Sequence, residues 1–387
     1  MAKTSNRVIC RCRVLIEDED VGQFESFALK ADYRTLGMTA TMTLPLYGVG
    51  VQSPQSNATQ IATTSTGRAN ARMRTKFRNV VINVCADVKV YCWYEGYDEQ
   101  LVFHGYIEHI AEGFPATIYL RDASFILRFG TMQKGWDKNA TLQQIVSDII
   151  PVAQQAFKEE RERLGFTKPA LELTYDLDGT NVQAVTTPLS FDNFAKGRAP
   201  YEVMQYLMQN IVLYGGITPD GKVYIGAGVR ETTRPIVKLS TAVNVVQRDI
   251  VPVDGRFVDY DVKVTGILKN GRKYTATGGL KNSRSNAKKS DAEKRFGETF
   301  RGFCIMNTAE GIQDYADRQL AMLKGNRNKG TITLLLYPKI ELLDHVNFDD
   351  TVFDIYDSLY YVTGYEFTAN EKGFFQRLSV TDQIYIL

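Results

Sequence analysis

The segment VFHGYIEHIAEGFPATIYLRD (Val102–Asp122) recurs in altered form near the end of the chain as YVTGYEFTANEKGFFQRLSVTD (Tyr361–Asp382). Each copy carries a Gly-Tyr pair, a Gly-Phe pair and an aspartate in the same order. These marks are Gly105-Tyr106, Gly113-Phe114 and Asp122 in the first copy, and Gly364-Tyr365, Gly373-Phe374 and Asp382 in the second. Because self-similarity at a fixed spacing is a primary sign of repeated architecture, the sequence predicts one β-module that occurs twice.

Two further pairs of segments precede these copies in matching order. They are TMTLPLY (Thr41–Tyr47) with TITLLLY (Thr331–Tyr337), and Asp87–Val90 with Asp344–Phe348. Any single pair could arise by chance, since β-strands draw on one residue alphabet. Five matches in the same order favour a duplication.

Length and composition predict a β-rich protein of several domains. A chain of 387 residues is too long for one compact core, so two or three domains are expected. Its 44% hydrophobic and 23% charged residues are ordinary for a globular protein, and its 21 Tyr and 20 Phe suit pleated, half-buried surfaces. The net charge of +2 provides no overall attraction to nucleic acid or membrane.

The five cysteines do not predict a disulfide framework, because their number is odd and their spacing irregular. Cys10 and Cys12 could form half a metal site or be two small buried side chains. The second interpretation is favoured, since no CxxC or Cys/His partner exists. Without a signal peptide or a long apolar stretch, the expected setting is a reducing cytoplasm.

The alternation of apolar residues predicts a mainly β chain with an α+β middle. Residues 1–132 are expected to form a first tube-like β-domain, interrupted by a basic, Ser/Thr/Asn-rich insertion at 49–79. That insertion is either a solvated loop or a contact arm for a neighbouring subunit or polyanion, and the loop is slightly favoured. Residues 236–387 form a second such domain, with a mobile basic loop at 280–295 and one helix at about 308–324.

Residues 133–235 are expected to form the small α+β domain that joins the two tube-like β-barrel domains. Helices are predicted at Thr141–Leu164, with a bend or a new turn at Pro151, and at Pro200–Tyr214. Pro219-Asp220-Gly221 predicts the turn of a β-hairpin.

A search for catalytic, cofactor and metal residues yields none. His104, His109 and His345 lack ligand spacing, and no HExxH, GxSxG or phosphate-loop motif is present. Gly226-Ala227-Gly228 lacks the rest of a dinucleotide fingerprint, and Asp176–Gly179 lacks the glutamate of a calcium loop. The carboxylates Asp148, Glu159, Glu160 and Glu162 are explained by a solvated helix face. The chain is therefore not expected to be an enzyme, and its separated basic stretches do not indicate specific nucleic-acid recognition.

Two equivalent β-modules in one chain suggest a symmetry adaptor. If the modules pair edge to edge, three chains provide six near-equivalent positions in a closed ring, and closure satisfies the unpaired backbone groups of edge strands. Such a trimer could join a sixfold tube to a threefold object.

The chain resembles the baseplate hub proteins of contractile phage tails and related injection systems, the late-control-protein D type. The resemblance rests on a series of motifs that spans nearly the whole chain: VFHGYIEHI with LRDASFIL (Leu120–Leu127), PYEVMQYLMQNIVLYGGITPDGKVYIGAG, GTITLLLYPKIELLDHV and YYVTGYEF. The insertion at 49–79 and the loop at 280–295 depart from the family pattern, which leaves the particular partners open.

The resemblance implies a virion structural protein: a homotrimeric hub in the tail baseplate, assembled in the host bacterial cytoplasm. Its implied partners are the tail tube protein, the central spike protein and other baseplate proteins. During genome ejection, DNA would pass through the channel without specific recognition or stable membrane insertion. Because phosphate contacts to Lys and Arg would retard DNA, the basic loops are expected away from the channel wall.

Two alternatives remain open. One is a tail-associated peptidoglycan or glycan hydrolase, which would lose activity on mutation of a carboxylate such as Glu159. The other is a β-rich glycan-binding module, with Trp93 and Trp136 as candidates for stacking on sugars.

Overall fold

The computed structural model describes thirteen stretches of the chain. These are residues 9–44, 75–77, 80–111, 115–136, 140–176, 195–211, 214–226, 236–253, 259–279, 297–324, 327–342, 344–351 and 355–382. The loop at 280–295, the Gly113-Phe114 mark, and all of the insertion at 49–79 except 75–77 lie outside them.

The protein is mainly β, with 48% strand and 20% helix, as predicted. Its strands, in chain order, are β1 Cys10–Ile16, β2 Glu19–Gly22, β3 Ser26–Asp32, β4 Thr39–Leu44, β5 Thr75–Phe77, β6 Val80–Ile82, β7 Asp87–Tyr94, β8 Gln100–Ala111, β9 Ala116–Asp122, β10 Thr174–Asp176, β11 Tyr214–Ile217, β12 Lys222–Gly226, β13 Val237–Ser240, β14 Val245–Val253, β15 Asp259–Ile267, β16 Lys273–Thr277, β17 Gly297–Phe303, β18 Arg327–Leu335, β19 His345–Asp350, β20 Ile355–Asn370 and β21 Gly373–Thr381. The helices are α1 Leu142–Arg163, α2 Pro200–Ile211 and α3 Ala309–Lys324, with a 3-10 helix at Ala123–Arg128.

Thirteen of these strands form one large sheet, whose main path runs β14-β18-β21-β20-β3-β4-β9-β8-β7-β1-β2, with β19 and β13 branching from β20. Within it, the same strand order occurs twice. The N-terminal portion (the first module) is ordered β3-β4-β9-β8-β7-β1, and the C-terminal portion (the second module) is ordered β14-β18-β21-β20-β19-β13. The path is open at β14 and β2, so the described strands form one continuous sheet with no closed barrel. The two tube-like β-barrel domains stay a prediction.

The residue registers of the two modules also correspond. Thr41 pairs with Tyr119 in the first module, and Thr331 pairs with Ser379 at the same place in the second. The predicted match of TMTL with TITL is therefore confirmed residue for residue. The terminal aspartates correspond as well: the backbone N–H of Asp122 bonds to the carbonyl of Met38, and that of Asp382 to the carbonyl of Asn328.

The predicted equivalence of Gly105 and Gly364 is wrong in register, although β8 and β20 do correspond. Gly105 pairs with Asp122, whereas Gly364 follows a β-bulge and pairs with Ser379, so that Gly364 is equivalent to His109. At each position, a different backbone carbonyl lies close to the place where a side chain would begin. A Cβ on Gly105 would lie 2.2 Å from the carbonyl oxygen of Arg121, and one on Gly364 would lie 3.1 Å from that of Ala31.

The outermost strands differ between the modules. β1 pairs with β7 in antiparallel fashion, whereas β13 pairs with β19 in parallel. The duplication therefore covers five strands in both order and direction, and a sixth in position only.

The middle of the chain forms a smaller α+β layer of α1, α2, the 3-10 helix and the sheet β10-β12-β11. Helix α1 begins at a capping box, in which the hydroxyl of Thr141 accepts from the N–H of Gln144 and the Gln144 side chain accepts from that of Thr141. The helix continues through Pro151, where a bend or new turn was expected. Pro151 is exposed, so water can hydrate the carbonyl whose partner it removes.

The predicted hairpin is confirmed as β11 and β12, with Gly221 in its turn at φ 86°. Helix α2 ends at Ile211 and not at Tyr214, because Tyr214 is already paired with Gly226 in the hairpin. The predicted helix at about 308–324 is confirmed as α3, where the Thr308 hydroxyl accepts from the N–H of Gly311 at 3.1 Å.

Two buried clusters hold the molecule together. One contains both β-modules, and its largest side chains include Phe27, Phe103, Phe348 and Phe367. The other joins the helices of the middle layer to α3 and to the separate sheet β16-β15-β17. The domain boundaries at 132/133 and 235/236 stay predictions.

Candidate functional site

The two modules are joined edge to edge by a ladder between β3 and β20, here named the seam. Six residues pair on each strand, from Gly364 with Asp32 to Ala369 with Phe27, and all run antiparallel. The N–H of Tyr33 donates to the carbonyl of Thr363 at 3.0 Å and extends the ladder by one step. The seam makes one sheet from two modules.

The length of β20 creates the seam. Its first part, up to Tyr361, pairs with β19, and its later part, from Gly364, pairs with β3 on the same side. Because β19 covers only part of β20, the remaining edge would present unpaired N–H and C=O groups. β3 satisfies those groups.

Aromatic side chains fill the interior beneath the seam. The ring of Phe27 lies 6.1 Å from Phe367 of the second module and 6.1 Å from Phe103 of its own module. Phe367 in turn lies 6.3 Å from Phe374. All four rings are at most 3% exposed, so the hairpin β20-β21 forms part of the core of the first module. Each such pair adds about 0.5–1.5 kcal/mol beyond its buried area.

A second contact between the two modules lies at Tyr94, the last residue of β7. The hydroxyl of Tyr94 donates to the carbonyl of Phe374 at 3.0 Å and accepts from the N–H of Leu336 at 3.4 Å. Burial raises the pKa of the Tyr94 phenol, so it is protonated and can donate. On the surface beside it, the rings of Tyr97 and Tyr337 stack at 4.8 Å.

The first module is fixed to α1 by a buried ion pair. Arg161 is 2% exposed, and its two terminal nitrogens donate to the two carboxylate oxygens of Glu17 at 3.0 and 3.1 Å. The same guanidinium donates to the carbonyl of Cys85 and lies 4.5 Å from the ring of Phe166. This bidentate geometry holds the β1-β2 turn against the middle layer.

His104 connects the first module to the β11-β12 hairpin. Its ring nitrogens lie 2.8 Å from a carboxylate oxygen of Asp87 and 2.8 Å from the carbonyl of Pro219. Burial opposes the charged ring, but Asp87 and the Pro219 carbonyl together outweigh burial and raise the pKa of His104. Both ring nitrogens of His104 are therefore engaged in contacts within the fold, and the ring is not arranged to bind a metal ion.

The other histidines and the cysteines do not converge on a site. His109 is exposed beside Tyr119, and His345 packs edge-on against Tyr361 at 4.6 Å. Among the described residues, no group of three or more His, Cys, Asp or Glu could hold a metal ion. Cys10 and Cys12 lie half-buried on β1 as free thiols.

The candidates for the two alternative functions take part in local contacts. Glu159 lies on the exposed side of α1 and accepts from the Gln155 side chain at 2.7 Å. The indole N–H of Trp136 donates to Asp148 at 2.7 Å, and Trp93 lies half-buried on β7. Gly226 ends β12 and Asp176 ends β10, while the rest of both weighed motifs lies outside the described residues.

Sequence reasoning supposed that the modules pair edge to edge, but it did not identify β3 and β20 as the strands of the seam. The alternation of Phe27, Leu29 and Ala31 with Ser26, Ala28 and Lys30 was readable as a strand with one buried face. No local pattern indicates that β20 is its partner, because strand pairing depends on which edges meet after the chain has folded.

The comparisons place this fold among phage tail proteins. No protein-family model and no curated protein sequence matches the chain. Its structure is similar to the tail protein from Neisseria meningitidis MC58 (TM-score 0.59, 14% identity, 96% of each chain covered). It is also similar to the 43 kDa tail protein of prophage MuSo2 from Shewanella oneidensis (TM-score 0.53, 14% identity, 95% of this chain and 97% of that chain covered).

A third similar structure is the prophage tail protein gp18 from Listeria monocytogenes EGD-e, with a TM-score of 0.50, 10% identity, and coverage of 95% of this chain and 94% of the other. In all three comparisons the match extends over nearly the full length of both chains. The chain therefore has the fold of phage and prophage tail proteins, as its sequence resemblance to baseplate hub proteins predicted.

Proposed function

We propose that the protein is a structural, non-enzymatic hub of a phage-type tail baseplate. Three copies form a ring with six near-equivalent modules, which joins the sixfold tail tube to the central spike. The seam is the observation that carries this proposal, because one chain already pairs two equivalent modules edge to edge. The fold shared with tail proteins supports the same role.

The physical reason for a ring lies in the edges of the sheet. Among the described strands of a single chain, the path ends at β14 on one side and at β2 on the other. Repetition of the seam between copies would satisfy further edge groups, and a closed cyclic arrangement keeps the assembly finite. The predicted tube-like barrels would then be completed by the assembly and not by one chain alone.

The proposed channel is a passive conduit for DNA. The chain is nearly neutral, with a net charge of +2, so its surface as a whole does not retain phosphate strongly. Among the described residues, no helix is long and apolar enough to cross a membrane. The proposed site of action is the virion tail, with the tube, spike and other baseplate proteins as partners.

Size-exclusion chromatography with multi-angle light scattering tests the oligomeric state directly. The expected result is the mass of three chains, together with ring-shaped particles by negative-stain electron microscopy. A monomer at tens of micromolar protein would contradict the proposal. Neither alternative function is put forward, because Glu159 and Trp136 have local partners that explain their positions.

A further inference from the structure

Among the described strands, the first module has a free edge at the position where the second module has its seam. β7 covers β8 only as far as Tyr106, and Ile107 exchanges backbone hydrogen bonds with Cys85 and Ala86. From His109 to Ala111, the described strands pair with β8 only through β9 on its other side. The same geometry in β20 is filled by β3.

Among the described strands, the second module has a free edge on β14, the strand that corresponds to β3 in the first module. β3 pairs with β4 on one side and with β20 on the other, whereas β14 pairs only with β18 among the described strands. Val246 and Val251 are exposed along this edge, at 58% and 49%. A partner strand here would pair with the unpaired backbone N–H and C=O groups of β14.

Side chains on β14 are less buried than their equivalents on β3, as expected for a strand that lacks a partner on one side. Leu29 of β3 is 2% exposed beneath the seam. Its equivalent in β14 is Ile250, because Leu29 pairs with Ala40 and Ile250 pairs with the equivalent Gly330. Ile250 is only half-buried. Among the described residues, the hairpin that covers Leu29 has no counterpart over Ile250.

We infer that the free edge of β14 pairs with the free edge of β8 in a second copy of this chain and so repeats the seam between subunits. The inference rests on the proposed ring and specifies its interface. The seam supplies the register. Glu366 opposite Lys30 becomes Ala111 opposite Val251 of the next copy, and Gly364 opposite Asp32 becomes His109 opposite Val253.

One position of the new ladder differs from the seam. Tyr365 opposite Ala31 becomes Ile110 opposite Pro252. Because proline has no N–H, it can accept one backbone hydrogen bond there but cannot donate. Proline within a sheet is confined to edge strands, and β14 is an edge strand among those that the structure describes. The contact is head-to-tail, so it continues from copy to copy, and the proposed ring closes where the third copy meets the first.

A disulfide trap tests the register. In the seam, Lys30 and Glu366 face each other with Nζ and Oε1 3.3 Å apart. Directly opposed residues of antiparallel strands bring their Cβ atoms to about 4.5–5.5 Å, near the range of disulfides. The double variant Ala111→Cys/Val251→Cys is therefore expected to lose its monomer band on a non-reducing gel and to form covalent trimers under mild oxidation.

The matched control is Ala111→Cys/Val243→Cys. Val243 is 83% exposed, more than Val251. If cross-links arose from random collisions, the control would therefore form them faster than the in-register pair. In the inferred register, residue 243 lies far from residue 111 of the next copy, so the control is expected to stay uncross-linked. Wild-type protein, with Cys10 and Cys12 half-buried and the other three cysteines buried, measures the background.

A charge pair provides a second test that needs no oxidation. The variant Ala111→Glu/Val251→Lys recreates the seam pair between copies, whereas Ala111→Lys/Val251→Lys places like charges opposite each other. Several-fold weaker association is expected for the second variant, with the difference reduced at high salt. Equal association of the two variants would overturn the inferred register.

The outcomes separate the interface from the function. If the protein is a trimer but the control variant cross-links as readily as the in-register variant, the inferred interface is refuted and the proposed hub stands. A chain that stays monomeric in light scattering refutes the hub, and the interface with it.

Discussion

Truncation of Phe367 to alanine should separate the two modules before either one unfolds. Phe367 is 2% exposed, lies beneath the seam and packs 6.1 Å from Phe27 of the other module. Removal of a buried phenylalanine side chain costs about 3–5 kcal/mol through lost transfer energy and the cavity left behind. Because the ring touches both modules, this cost falls on their contact.

Hydrogen–deuterium exchange measures where the cost falls. In Phe367→Ala, amide protection should drop by a factor of about 100 or more in both β3 and the later part of β20, since each 1.4 kcal/mol is tenfold in an opening equilibrium. Thermal unfolding monitored by circular dichroism should show a lower midpoint. The matched control is Phe348→Ala, which removes a ring that is 1% exposed on β19, away from the seam.

The control separates a local effect from a general one. Phe348→Ala should lower protection in β19 and β13 and leave β3 unchanged. If Phe367→Ala loosens β20 while β3 keeps its wild-type protection, the two modules do not open as one unit along the seam, and the reasoning fails.

Three further outcomes follow from the described contacts. Arg161→Ala should destabilise the fold by about 3 kcal/mol in urea titrations, because Glu17 loses its buried partner. The double variant Arg161→Met/Glu17→Gln should recover part of that loss. Equal stability of wild type and Arg161→Ala would contradict the buried pair. Tyr94→Phe should cost about 1–2 kcal/mol by leaving the Phe374 carbonyl and Leu336 N–H unpaired, and an unchanged melting temperature would refute this contact. The raised pKa of His104 adds stability that is complete below the ordinary value of 6.5 and is lost as pH rises through the higher folded value. The pH dependence above 6.5 should therefore flatten in His104→Gln, and an identical slope in wild type and variant would argue against the Asp87 contact.

The duplicated module would give the proposed ring twice as many positions as chains. The two modules share strand order and register in five strands, so each can occupy the same kind of position in a ring. They also differ, for example at the outer strand, where β1 is antiparallel to its neighbour and β13 is parallel. Such differences allow alternate positions of a proposed ring to meet different partners.

Local patterns predicted much of the architecture. Alternating apolar residues indicated the strands, Thr141 and Thr308 marked the starts of α1 and α3, and Pro219 to Gly221 marked the hairpin turn. Each of these signals acts within a few residues, through side-chain periodicity, capping or turn geometry. The Gly-Tyr marks misled by four residues, because glycine at 105 and at 364 relieves different close approaches and does not report a shared register.

The sequence by itself determined that two like β-modules flank a helical middle, since strand and turn preferences are local and are written twice. Only the tertiary structure decided that β3 pairs with β20, that Phe367 fills the core of the other module, and that Tyr94 bonds to Phe374, 280 positions away. An edge strand has no local signature for its partner, because its N–H and C=O groups are the same in every strand. The choice depends on which edges remain uncovered once the modules have folded, and on which side chains then meet beneath them.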